Sequence, residues 1–152
     1  MRYRPVVLAA ALSGGLFPVA SAVGQPSVPA GESPEVRIVK ERDSTVIVLA
    51  GVGPVDKQGR LAAPGDFAGQ FKQAWENVRL LAAGAGSPLR NIVSVTVYLA
   101  RPELREEFDR LQEETFQGWR PVTTFAVAGA LRVPGALLEI HAVAVVNQPR
   151  RR

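Results

Sequence analysis

The residues best suited to chemistry are a glutamate and the chain's only histidine, Glu139 and His141, two positions apart near the C-terminus. Alternate side chains of a strand point to the same face, so the carboxylate and the imidazole are expected to lie side by side. Such a pair can position a water molecule and relay its proton. It is equally explained as two polar groups that satisfy each other at a subunit interface.

The pair belongs to the run from Pro121 to Val146, which predicts two strands joined by a turn. Residues 122–127 are β-branched, aromatic or small, as a largely buried strand requires. Val133-Pro134-Gly135 supplies the turn residues. The final strand has a second, wholly apolar face, formed by Leu138, Ile140, Ala142, Ala144 and Val146.

The preceding chain must build the sheet in which these strands lie. Its pattern predicts strands at 36–40 and 45–50, a helix from the N-cap Asp66 to Gly84, a strand at 91–99 and a helix at 103–116. The order β-β-α-β-α-β-β predicts an α+β fold, with a mixed β-sheet and two helices on one face. The other face carries apolar and small polar residues, so a second copy of the chain is expected to cover it.

Two of these elements have informative faces. The first helix has one broad apolar stripe at helical spacing, formed by Phe67, Phe71, Ala74, Trp75, Val78, Leu81 and Ala82, which predicts core packing. In the strand at 91–99, Val93, Val95, Val97 and Leu99 are expected on one face and Ile92, Ser94, Thr96 and Tyr98 on the other. The mixed second face is typical of a sheet that packs on a partner or lines a cavity.

The termini differ from the body of the chain. A basic start, an apolar segment and Ala20-Ser21-Ala22 predict a signal peptide at 1–22 and a periplasmic or secreted protein. A Pro- and Ser-rich flexible leader (23–34), a folded domain (35–147) and a basic tail (148–152) follow. Once cleaved from its signal, the chain is not expected to remain inserted in a membrane.

Composition excludes several classes of function. Of 18 Lys and Arg residues, five lie in the predicted signal and the tail, which leaves 13 against 14 acidic residues. A body without excess positive charge argues against nucleic acid as a partner. The absence of cysteine excludes disulfides and thiolate chemistry, and a single histidine argues against a metal site. No phosphate loop, nucleophile elbow or other general motif is present, and no cofactor is expected.

Several segments resemble the reactive intermediate (imine) deaminase family, also called RidA or YjgF. They are Ala50-Gly51, GRLAAPGDFAGQFKQAWENVRLLAAGAG at 59–86, NIVSVTVYLARPE at 91–103, PVTTFAVAGAL at 121–131 and PGALLEIHAVAV at 134–145. The resemblance implies a chorismate-mutase-like fold. It also implies a homotrimer whose open sheet faces form a central barrel, with small-molecule clefts between subunits. Deaminating members hydrolyse 2-imino acids and release ammonia.

The resemblance assigns roles to individual positions. Glu139 matches the glutamate associated with the attacking water, and His141 is placed beside it as a second catalytic candidate. The substrate-binding positions are Gly51, Asp109, Pro121, Thr123 and Thr124. Thr124 is included as a possible ligand contact, with strand hydrogen bonding as the alternative role for both threonines.

Three positions depart from the family pattern. The arginine that holds the substrate carboxylate is replaced by Thr123, which cannot supply the charge of a bidentate guanidinium. Asp109 stands where an asparagine is usual, and Val52 where a glutamine is usual. Arg120 and Arg132 are the nearby arginines that could substitute for the missing one.

Three functions remain open from the sequence. The first is a trimer that binds a small carbonyl- or imine-type metabolite, with little or no activity on ordinary 2-imino acids. The second is an active 2-iminobutanoate/2-iminopropanoate deaminase that uses Glu139 and another arginine. The third is a structural or partner-binding trimer.

Overall fold

The computed structural model describes residues 34–147, and the order of its elements confirms the predicted β-β-α-β-α-β-β arrangement. The elements are β1 (Glu35–Lys40), β2 (Ser44–Val52), α1 (Phe67–Gly84), β3 (Ile92–Leu99), α2 (Leu104–Phe116), β4 (Val122–Val127) and β5 (Leu138–Asn147). A short 3-10 turn, Leu89–Asn91, precedes β3. The predicted signal peptide, nearly all of the leader and the basic tail lie outside the described residues.

The five strands form one sheet in the order β1-β2-β5-β3-β4. Only β3 and β4 pair in parallel, because the chain returns through α2 between them; the other pairs are antiparallel. The two C-terminal strands predicted from 121–146 both form, but β3 lies between them. Their connection crosses the end of β3, where Ala128 N–H donates to Leu99 O and Ala100 N–H donates to Leu137 O, both at 3.0 Å.

Both helices pack on one face of the sheet. Every residue of the predicted apolar stripe of α1 is buried, which confirms it as core. The ring of Phe108 in α2 lies 5.2 Å from the rings of both Phe71 and Phe125, in edge-on contacts that join the two helices to β4. Burying a phenylalanine side chain stabilises a fold by about 1.5–3 kcal/mol. The helix N-cap is Asp66, as predicted, although its side chain makes no capping hydrogen bond.

A β-bulge at the start of β3 corrects one predicted face. Ile92 pairs with Ala144 and Ser94 with Val143, so Val93 is an extra residue in its strand. Ile92 is therefore in the core at 2% exposure, and Val93 is 47% exposed. Strict alternation had placed both on the wrong sides, because a bulge shifts the side-chain period by one residue. From Ser94 onward the predicted alternation holds.

The sheet face opposite the helices is partly apolar and has no covering element among residues 34–147. Val46 and Val48 of β2 pair with Val145 and Val143 of β5, and all four are half-buried. In β5 the helix-side face is apolar as predicted: Leu138, Ile140, Ala142 and Ala144 are at most 1% exposed. Glu139 and His141 therefore point to the open face. Among residues 34–147, neither helix combines the length and apolar content needed to cross a bilayer.

Candidate functional site

Glu139 and His141 lie side by side on the open face of β5, as their spacing predicts. His141 Nε2 is 3.1 Å from Glu139 Oε1. The side chain of Glu139 is only 11% exposed, whereas that of His141 is 37% exposed. If Nε2 carries the ring hydrogen, it donates a hydrogen bond to the carboxylate, and Nδ1 is then an acceptor. The pair thus combines a sheltered carboxylate with a more accessible imidazole.

The second carboxylate oxygen is bound by the loop between β4 and β5. The backbone N–H of Arg132 donates to Glu139 Oε2 at 3.1 Å. Tyr98 of β3 pairs with Glu139 across the strands, and its ring centroid is 4.8 Å from that of His141. The carboxylate is therefore fixed on both oxygens, and the imidazole is fixed by an aromatic contact.

Gly51 enters the same site through a second β-bulge. Leu49 pairs with Ala142 and Val52 with Ile140, so Ala50 and Gly51 together face His141. Gly51 has φ +69°, in the left-handed region that favours glycine. A Cβ atom on Gly51 would lie 2.8 Å from Arg132 Cζ, so the guanidinium of Arg132 rests against the glycine backbone.

Two polar side chains of α1 hold the loops around this cluster. Gln70 is fully buried; its Nε2 donates to Ala63 O at 3.3 Å and Gly135 O at 3.5 Å, and its Oε1 accepts from Leu137 N–H at 2.7 Å. Asn77 Nδ2 donates to Gly53 O and Val55 O, both at 2.9 Å. Sequence analysis did not identify these two residues. The available signal was a glutamine inside the apolar stripe of α1.

The loop after β2 has its own fixed turn. The Asp56 carboxylate accepts hydrogen bonds from the backbone N–H of Arg60 and of Gln58, and from Arg60 Nε. These bonds, the backbone N–H of Arg60 first among them, hold the pKa of Asp56 below its usual range. The Asp56 carboxylate therefore stays ionised to a lower pH than an aspartate without these hydrogen bonds.

The predicted substrate-binding residues divide between the two faces of the sheet. Thr124 pairs with Thr96, which in turn pairs with His141, so these three lie in one row of the open face. Thr123 pairs with the buried Val95 and shares its helix-side face. Its Oγ1 donates to the carbonyl of the buried Pro121 at 3.0 Å.

Asp109 and Val52 also have clear structural roles within the chain. Asp109 lies on α2, where its Oδ2 accepts from Arg105 Nε at 3.0 Å. Val52, at the position of the family's glutamine, is 1% exposed and belongs to the core. Within one chain, the structure thus brings Gly51, Glu139 and His141 together, adds Tyr98 and Arg132, and leaves Asp109 and Thr123 on the other side of the sheet.

This arrangement can bind and polarise a small molecule. The fixed carboxylate can accept a proton or hold a water molecule, and the imidazole can exchange a proton with it. Gly51 has no side chain, and the guanidinium of Arg132 lies against its backbone at the edge of this cluster. Among residues 34–147 no group of three or more His, Asp or Glu side chains is placed to hold a metal ion.

Comparisons with known proteins agree with the fold. A family model described as endoribonuclease L-PSP matches residues 17–146. A 2-iminobutanoate/2-iminopropanoate deaminase of Rattus norvegicus is 32% identical over 103 residues, which are 68% of this chain and 74% of the relative. A RutC family protein of Pyrococcus horikoshii is 29% identical over 98 residues, covering 64% of this chain and 77% of the relative.

Two solved structures give the same result in three dimensions. The YjgF gene product of E. coli superposes with a TM-score of 0.64 at 26% identity, over 78% of this chain and 92% of the other. Rv2704 of Mycobacterium tuberculosis, described as a member of the YjgF/YER057c/UK114 family, gives 0.57 at 26% identity, over 68% and 85% of the two chains. The helices and the mixed sheet are therefore those of a chorismate-mutase-like α+β fold.

Proposed function

The chain belongs to the RidA/YjgF family, and from this premise we propose that it forms a homotrimer that binds a small carbonyl- or imine-type metabolite in clefts between subunits. Turnover of ordinary 2-imino acids is expected to be slow. The proposal rests on the environment of Glu139. This residue lies on the open face of the sheet, yet it is buried and both of its carboxylate oxygens are hydrogen-bonded.

A fixed carboxylate of this kind supports ligand binding. Burying a charged group is costly unless it is hydrogen-bonded, and here one donor is a backbone N–H whose position does not depend on side-chain type. Its orientation is set before a ligand arrives, so little entropy is lost on binding. A carbonyl hydrate, an imine N–H or a water molecule can each donate to it.

Self-association is supported by the open sheet face. Val46, Val48, Val143 and Val145 form an apolar patch there, and the helices cover only the other side. Contact with other copies of the chain would remove this patch from water. It would also enclose Glu139 and His141 near a subunit boundary.

Slow turnover is supported by Thr123. A threonine at this position carries no charge, and its hydroxyl already donates to the Pro121 carbonyl. The ligand therefore lacks the carboxylate contact that deaminating members make from this strand. Because catalysis depends on the pose of the reacting atoms, loss of this contact is expected to lower the rate more than the affinity.

A second candidate function is hydrolysis of imines. The observation in its favour is the 3.1 Å contact between His141 Nε2 and Glu139 Oε1, which gives the carboxylate a partner for proton transfer. In this mechanism Glu139 would position water for attack on the imine carbon. Glu139 would accept a proton from that water, and His141 would relay a proton to the nitrogen, which leaves as ammonia when the carbinolamine becomes the oxo product.

Calorimetric titration with 2-oxobutanoate, together with turnover of 2-iminopropanoate made in situ by an amino-acid oxidase, tests both functions. We expect wild-type binding with slow turnover, and a loss of about a hundred-fold or more in any turnover for Glu139→Gln. Fast wild-type turnover that Glu139→Gln abolishes would establish the hydrolase instead. A protein that neither binds nor turns over these compounds would contradict both functions and leave a structural trimer.

A further inference from the structure

A row of hydrogen-bonding side chains crosses the open face of the sheet next to Glu139. Thr96 of β3 pairs with Thr124 of β4 on one side and with His141 of β5 on the other. Neighbouring strands lie about 4.8 Å apart, so one small molecule can contact two or three members of this row. Because His141 also contacts Glu139, the row is continuous with the candidate site.

The side chains of the row have hydrogen-bonding groups to spare. Neither the Thr96 nor the Thr124 hydroxyl binds another group within residues 34–147, whereas the Thr123 hydroxyl on the opposite face donates to a backbone carbonyl. In His141 the contact to Glu139 occupies Nε2, which leaves Nδ1 as a further hydrogen-bonding atom. The row therefore offers two hydroxyl groups and one ring nitrogen to a ligand.

The row borders apolar residues that self-association would cover. In the adjacent row, Val143 of β5 pairs with Val48 of β2. Once other copies of the chain cover this patch, the half-buried Thr96 hydroxyl loses contact with water as well. A buried hydroxyl without a partner costs free energy, so buried polar groups are almost always hydrogen-bonded. A ligand group that can both donate and accept would supply the partner.

We propose that the row of Thr124, Thr96 and His141 binds a hydroxyl group of the ligand, so that the cleft selects hydroxylated 2-oxo or 2-imino acids over their alkyl analogues. This inference rests on the proposed function and names the substrate class of that same site. A ligand hydroxyl donates and accepts as a threonine hydroxyl does, whereas a methyl group does neither. A negatively charged group suits the row less well, because the Glu139 carboxylate next to His141 would repel it.

The test compares 3-hydroxypyruvate with 2-oxobutanoate by calorimetric titration of the full-length protein. The two acids differ only in a hydroxyl in place of a methyl group. Wild type is expected to bind 3-hydroxypyruvate about ten-fold more tightly, because a site built to hydrogen-bond a hydroxyl rejects the analogue that lacks it. Thr96→Val keeps the branched shape and removes the hydroxyl, so it should abolish this preference by weakening 3-hydroxypyruvate binding alone. Thr96→Ser retains the hydroxyl and should keep the preference.

Two further variants complete the comparison. Thr124 is exposed on the edge strand β4, so Thr124→Val tests the row even if Thr96→Val assembles poorly, and it should reduce the same preference. Thr115→Val is the matched control. It makes the same chemical change at an exposed position of α2, on the other side of the sheet, and should bind both acids like wild type.

The outcomes separate this inference from the function on which it rests. Wild type that binds neither acid contradicts the proposed function itself. Wild type that binds the two acids equally well, or a preference that survives both Thr96→Val and Thr124→Val, overturns the hydroxyl site and leaves the function standing. Equal losses for the two acids in these variants would also overturn it, because they indicate a structural role of the threonines.

Discussion

At the scale of single residues, Glu139 and Gly51 have the most constrained environments of the site. Glu139 is almost fully buried with hydrogen bonds on both oxygens, and Gly51 combines a positive φ with direct contact to a guanidinium. Replacing Glu139 with glutamine would remove its charge at nearly constant size. Replacing Gly51 with alanine would place a Cβ atom against the Arg132 guanidinium and strain the backbone.

Gly51→Ala should lower both stability and affinity. A non-glycine residue in the left-handed region costs about 1–3 kcal/mol, and the new Cβ would displace the Arg132 guanidinium. We expect a lower free energy of unfolding in urea and weaker binding of 2-oxobutanoate. Gly65→Ala is the matched control, since Gly65 has φ +77° and open space where its Cβ would be. It should lose stability alone; weaker binding in both variants would contradict the steric explanation.

At the scale of elements, α1 does more than cover the sheet. Its apolar stripe packs on the core, while Gln70 and Asn77 within the same helix bind backbone groups of the loops that flank the site. The buried Gln70 stabilises these loops because it satisfies backbone groups that would otherwise be unpaired. Through the hydrogen bonds of Gln70, α1 holds the loop between β4 and β5 in place.

Gln70→Leu should loosen that loop. The substitution leaves the Leu137 N–H without its acceptor, and a buried unpaired donor costs about 1–3 kcal/mol. We expect a lower free energy of unfolding and faster hydrogen exchange at the Leu137 amide. Gln73→Leu on the same helix removes a hydrogen bond to Asn77 instead and should leave that amide protected. Equal exchange rates of the Leu137 amide in the two variants would contradict the inference that Gln70 holds this loop in place.

At the scale of the whole molecule, one face of the sheet is covered by helices and the other is open. The open face combines an apolar patch with the candidate site, so assembly and ligand binding are expected to depend on the same surface. Such coupling is usual where a cleft lies between subunits. Its consequence is that a change in oligomeric state should alter ligand binding.

Val143→Lys should dissociate the proposed trimer. Val143 is half-buried at the centre of the open face, and a lysine there would place an unpaired charge in the contact between subunits. Light scattering should give three times the chain mass for wild type and a smaller mass for the variant. Ala83→Lys adds the same charge at an exposed position of α1 and should remain trimeric. A wild-type monomer at micromolar concentration would contradict the proposed assembly.

Export is a separate property of the whole chain. Cleavage after Ala22 predicts a mature protein that begins at about Val23 and is recovered from the periplasm or the medium. N-terminal sequencing of the exported protein would test this. Recovery of an intact Met1 from the cytosol would refute the predicted signal peptide.

The sequence by itself determined the features that depend on local periodicity. The apolar stripe of α1 follows from the helical repeat, and the pairing of Glu139 with His141 follows from the two-residue repeat of a strand. Both are correct because neighbouring residues in one regular element set them. The order of elements follows for the same reason, with turn and capping residues between periodic segments.

Tertiary structure alone decided the features that depend on contacts between distant segments. The position of β3 between β4 and β5, the bulges at Gly51 and Val93, and the approach of Arg132 to Gly51 all belong to this class. A bulge shifts the alternation of a strand by one residue, and nothing in a single strand's pattern indicates that shift. Arg132 was one of two arginines that could substitute for the missing guanidinium. The tertiary structure places the guanidinium of Arg132 against Gly51 of β2, whereas Arg120 pairs with Glu113 of α2.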